Sequence, residues 1–182
     1  SKISIAAAGK KAAADVVEVD WSWVGEFYSA GWLDPLEIDE ATKKDIPSLS
    51  YFKVKDNIYA VPYANGIRLS YLNKEMFEKA GKEGEYPKKW DEMEAAFEKL
   101  KQNKVIEYPM LFPLNAEEIA TTSFLTIAYT RNGKIFNDDD TLNKESALDI
   151  LQLLRKYLDK GYINPASTST PGIDVFRGIN NA

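Results

Sequence analysis

The sequence predicts an α/β fold. Short β-branched runs alternate with amphipathic stretches along the whole chain, and Gly or Pro punctuates most of the junctions between them. The 182 residues are 45% hydrophobic and 28% charged, an ordinary globular balance. A chain of this length makes one domain, or one domain plus part of another, and folding it buries roughly 70% of the unfolded surface.

The elements follow in order. Residues 6–14 are rich in Ala and Lys but broken at Gly9, and predict a poor helix or a loop. Asp15-Val16-Val17-Glu18-Val19 is a strand by β-branching. Residues 21–30 form an aromatic-rich helix that Gly31 stops, and Asp34-Pro35-Leu36 turns the chain. Ile58-Tyr59-Ala60-Val61 and Ile67-Arg68-Leu69-Ser70-Tyr71-Leu72 are strands. Asn73 caps a short helix over 74–80, ended by Gly81. The clearest helix spans 90–100, where Trp90, Met93, Phe97 and Leu100 recur at spacings of three and four. Tyr108-Pro109-Met110-Leu111-Phe112 is a buried strand, confined by Pro109 to an edge or an end. Residues 119–129 have the length of a helix, and 141–158 are amphipathic, with Leu148, Leu151, Leu154 and Leu158 on one stripe and Gly161 closing the helix. A further helix starts at 173–178.

Composition excludes several functions. With 23 Lys and Arg against 28 Asp and Glu, the net charge is −5, and no basic stripe offers itself to a polyanion. The chain has no Cys, which removes disulfides, thiolate metal sites and cysteine nucleophiles, and no His, which removes a Ser-His-Asp triad and the commonest general base. No apolar run approaches the ~20 residues of a membrane helix, and the first residues do not make a signal peptide.

Four stretches share an order and spacing with a known family. They are Asp15-Val16-Val17-Glu18-Val19-Asp20-Trp21 running on to Gly31-Trp32-Leu33-Asp34-Pro35-Leu36; Asn57-Ile58-Tyr59-Ala60-Val61-Pro62-Tyr63; Leu69-Ser70-Tyr71-Leu72-Asn73-Lys74-Glu75-Met76-Phe77-Glu78-Lys79-Ala80-Gly81; and Pro87-Lys88-Lys89-Trp90-Asp91-Glu92. Together they resemble the extracytoplasmic solute-binding proteins of ABC sugar importers, in the maltose-binding-protein-like branch. Two departures stand out: no Gly precedes Ile58, and Lys89 stands where the family has Thr. Fainter echoes follow at Gly161-Tyr162-Ile163-Asn164-Pro165 and Phe176-Arg177-Gly178.

The resemblance implies a periplasmic-binding-protein-like α/β fold with an incomplete two-lobe architecture. Residues 1–64 would be part of the N-terminal lobe, 65–73 the crossover, and 74–182 most of the C-terminal lobe. Family members are longer, so the resemblance implies a chain short at both ends, natural or engineered. It implies carbohydrate capture in an inter-lobe cleft outside the cytoplasm, an ABC permease as partner, no cofactor and no enzymatic step. An exposed inter-lobe face would promote self-association.

Sugar recognition needs aromatic faces for the C–H side of a pyranose and planar polar groups for its hydroxyls. Asp20, Trp21 and Trp23 supply both just after a strand, where open α/β sheets bind ligands; the plainer reading makes the tryptophans core. The resemblance adds Tyr63, Asn65 and Arg68 at the crossover; Arg68 can also hold a carboxylate in two-pronged fashion. The plainer reading makes Asn65-Gly66 a turn and Arg68 a surface charge. It adds Asn115, Glu117 and Glu118 at a helix start, where the plainer reading is stronger: Asn115 is a natural cap and acids suit a helix N-terminus.

Asn137-Asp138-Asp139-Asp140 lacks the Gly and Glu of a calcium loop in register and reads as a solvated turn. Glu117 and Glu118 are adjacent, so they point apart and do not flank one bond as a glycosidase pair does. The rivals to ligand capture are a carboxylate-based glycoside hydrolase and a folding or scaffold fragment without ligand.

Overall fold

The computed structural model describes residues 2–64, 66–81, 84 and 86–178. The chain divides into two compact units, residues 1–67 and 68–182.

The first unit holds α1 (Lys2–Ala8), α2 (Val24–Ser29), α3 (Glu40–Asp45) and a hairpin of β1 (Lys53–Val54) and β2 (Asn57–Ile58). α2 continues a 3-10 turn, Trp21–Trp23, capped by Asp20. Its end is a left-handed Gly31, φ 69°, a conformation a residue without Cβ adopts at no steric cost. Asp39 starts α3 by accepting from the Thr42 amide at 2.8 Å. The hairpin pairs Lys53 with Ile58 and Val54 with Asn57 in antiparallel fashion, and the Leu36 amide donates to the Ile58 carbonyl at 2.8 Å. The apolar residues buried here are Val24, Phe27, Leu49 and Ile58.

The second unit holds α4 (Lys74–Lys79), α5 (Trp90–Gln102), α6 (Glu118–Asn132), α7 (Lys144–Asp159) and α8 (Gly172–Arg177). Its core gathers Phe97 of α5, Ile127 and Ala128 of α6, and Ile150, Leu153, Leu154 and Tyr157 of α7, together with Tyr162 and Ile163. Phe97, Tyr157 and Tyr162 form an aromatic trio with centroids 5.3–5.8 Å apart. Their hydroxyls are not orphaned: Tyr157 donates to Glu94 at 3.4 Å and Tyr162 to Glu98. A second cluster, Phe77, Ala80, Ala96 and Leu100 with Leu72 and Met76 against it, fixes α4 to α5. Six residues alone do not hold a helix in water; this packing, with the Asn73 cap on the Met76 amide, holds α4.

α6 is helical despite four Thr and a Ser. Thr122, Ser123, Thr126 and Thr130 donate to carbonyls four residues back, which satisfies each hydroxyl within the helix. Where α7 follows α5 in space, Lys101 crosses from α5 and donates to the Gly161 carbonyl at 2.7 Å and the Glu107 carbonyl at 3.3 Å. Gly161 is left-handed, φ 64°.

Helices at 90–102, 118–132 and 144–159 agree with the spacing in the sequence. Two expectations need correction. The strands at 15–19 and 67–72 are not formed, the one at 58–61 shortens to β2, and the one at 108–112 leaves a single parallel bridge, Met110 with Ile163. β-branching marks residues able to pair, but a strand exists only where a neighbour takes its backbone hydrogen bonds; Val16 is 88% exposed. The described residues are therefore mainly helical, with a two-strand sheet. In α7 the buried stripe is Ala147, Ile150, Leu154 and Tyr157, while Leu148 and Leu151 are exposed. Both stripes have helical spacing; the wider apolar side won, because Ile150, Leu153 and Tyr157 bury more surface. The stretch read as a poor helix or loop over 6–14 agrees with the structure, being the end of α1 and the loop after it.

Candidate functional site

The sequence-derived candidates fall into two groups, one in each unit. In the first, Asp20 caps the 3-10 turn: its Oδ1 accepts from the Ser22 amide at 2.9 Å and the Ser22 hydroxyl at 2.7 Å. That fixes the loop from which two tryptophans project. Trp21 is 62% exposed and Trp23 is 45% exposed, so neither is core. Trp23 lies over Phe27, centroids 6.2 Å apart and planes 25° from parallel, and Phe27 in turn meets Trp32 edge-on at 5.2 Å. One face of Trp23 is thus braced from behind.

Tyr63 joins this group. Its hydroxyl donates to Glu18 Oε1 at 2.5 Å, tying the chain after Pro62 to the loop just ahead of Asp20. The Glu18 carboxylate, by accepting that bond and by its charge, raises the Tyr63 phenol above its ordinary value. The result is two exposed indoles following the half-buried Asp20 in the chain, and an exposed phenol bonded to Glu18, two residues ahead of Asp20. An indole face offers the C–H side of a polar ligand a contact, and a carboxylate accepts from its hydroxyls.

In the second unit, the candidates gather at the start of α6. Arg68 Nη2 donates to Thr122 Oγ1 at 2.5 Å. Glu117, not Asn115, is the N-cap residue of α6, and its side chain is used elsewhere. Glu117 Oε1 accepts from Asn115 Nδ2 at 2.8 Å, and Oε2 accepts from the Gly172 amide at 3.0 Å. Glu117 therefore holds the first turn of α8 against α6. A Cβ on Gly172 would lie 2.0 Å from Ile119 Cγ2, so the approach requires glycine. Glu118 is exposed in the first turn of α6, where the helix dipole favours an acid. Asn65 lies outside the described residues.

Residues 1–177 match the profile of a family described as bacterial extracellular solute-binding protein. The chain belongs to that family. Curated relatives include proteins of Brucella abortus (strain 2308 and biovar 1 strain 9-941) and of Brucella suis (biovar 1 strain 1330), each provisionally named a binding protein. Each is 32% identical over 169 residues, which is 89% of this chain and 40% of the relative. The chain thus spans about two fifths of the length of the curated relatives it matches. No solved structure matches it significantly.

The family's description is of solute binding outside the cell. Among the described residues no helix is long and apolar enough to cross a membrane. Two members of the groups above were not singled out from the sequence. Glu18 sits among β-branched neighbours and carried only the signal of a strand residue. Thr122 sits in the run Thr121-Thr122-Ser123, where nothing in the sequence set it apart from its neighbours. The turn at Asn137–Asp140 is exposed, and Asp139 Oδ1 accepts from the Thr141 amide at 3.1 Å and its hydroxyl at 2.6 Å.

Proposed function

We propose that this chain belongs to the ligand-capturing component of an ABC-type importer and that its ligand is a carbohydrate, taken up outside the cytoplasm in the periplasm or at the outer face of the membrane. In this reading the N-terminal lobe is represented by residues 1–64 and the C-terminal lobe by 74–182, with a permease receiving the loaded protein. The observation that carries the reading is the exposure of Trp21 and Trp23, directly after Asp20 in the chain, with Glu18 just ahead of it bonded to Tyr63. A globular domain ordinarily turns indoles inward; two left out next to carboxylates match the needs of a pyranose, with an apolar face and a hydroxyl rim. Trp21 and Trp23 take the sugar ring, Asp20 and Tyr63 its hydroxyls. Arg68 and Glu118 are further candidates for polar contacts with a sugar, and Arg68 extends the range to sugar acids. Asn65 completes the set. Glu117 and Asn115 act indirectly, by fixing the start of α6.

The test is tryptophan fluorescence titrated with neutral and acidic mono- and oligosaccharides, with folding checked by circular dichroism. A saturable blue shift with one class of sugar, lost in Trp21→Ala and Trp23→Ala, is the expected result. A flat response across the panel from the folded chain defeats the carbohydrate reading.

A further inference from the structure

We draw no further inference here: the strongest candidate, the groove of the first unit lined by Leu36, Ile38 and Ile58 and by the carboxylates of Glu37, Asp39 and Asp56, is an acidic cluster in which Asp39 already caps α3, and nothing in the structure shows what the other two acids would hold.

Discussion

Three aromatic residues of the second unit and four of the first are put to opposite use. In the second, Phe97, Tyr157 and Tyr162 meet inside a core and only their hydroxyls reach polar groups. In the first, Trp21, Trp23, Tyr51 and Tyr63 face solvent, and four buried apolar residues, Val24, Phe27, Leu49 and Ile58, make up the interior among the described residues. The difference follows from helix length. α5, α6 and α7 have 13, 15 and 16 residues, enough for an apolar stripe of several turns, whereas α1, α2 and α3 have six or seven. Resistance to unfolding should therefore reside in the second unit and aromatic ligand contact in the first.

The strongest way to break this contrast is to open the larger core. Phe97→Ala removes a ring that meets both Tyr157 and Tyr162, and should lower stability by about 3–5 kcal/mol in urea denaturation. Trp21→Ala, by contrast, should leave the urea midpoint almost unchanged. Equal losses would erase the distinction between the units. Next comes Gly172→Ala, which drives a methyl group into Ile119 and should cost about 1–3 kcal/mol. The double variant Gly172→Ala with Ile119→Ala should recover part of that loss, and its failure to do so would remove the close approach as the cause.

A smaller effect sharpens the role of charge. Arg131 donates to both oxygens of Asp149, at 2.7 and 3.1 Å, and this bond holds the Asp149 carboxyl below its usual range. Because the folded value is the lower one, the stabilisation is complete above the ordinary carboxylate value of about 3.9 and is lost as pH falls through the folded value. The side chains are 30% and 38% exposed, so solvent screens the pair and about 0.2–1 kcal/mol is at stake. Asp149→Asn should reduce stability by that amount at pH 7 and have less effect near pH 2, measured by urea midpoints at both. The smallest effect separates the two readings of α7. Leu148→Ser and Leu151→Ser should each change stability by no more than about 0.5 kcal/mol, because both are exposed. A loss of several kcal/mol would restore the leucine stripe as the core face.

The contrast between units also explains what could be read in the sequence. α5 was legible because Trp90, Met93, Phe97 and Leu100 leave no competing face. α7 was legible as a helix but not in its orientation, since Leu148 and Leu151 compete with Ile150 and Leu153 and only the neighbouring helices decide between them. The run at 15–19 could not be judged from its own residues, because pairing is a property of two segments. For the candidate site, the loop at Asp20, Trp21 and Trp23 was legible from its residue types, and its exposure follows. The use of Glu117 was not, because its partner, the Gly172 amide, lies 55 positions away.

The bridge from Lys101 to the Gly161 and Glu107 carbonyls has a chemical corollary. An amine engaged in this way is shielded from electrophiles, so Lys101 should be acylated more slowly than the exposed Lys74 or Lys134. Its labelling rate in a mass-spectrometric footprint would then report the opening of the α5–α7 end of the molecule, one residue at a time, without any probe having to be introduced.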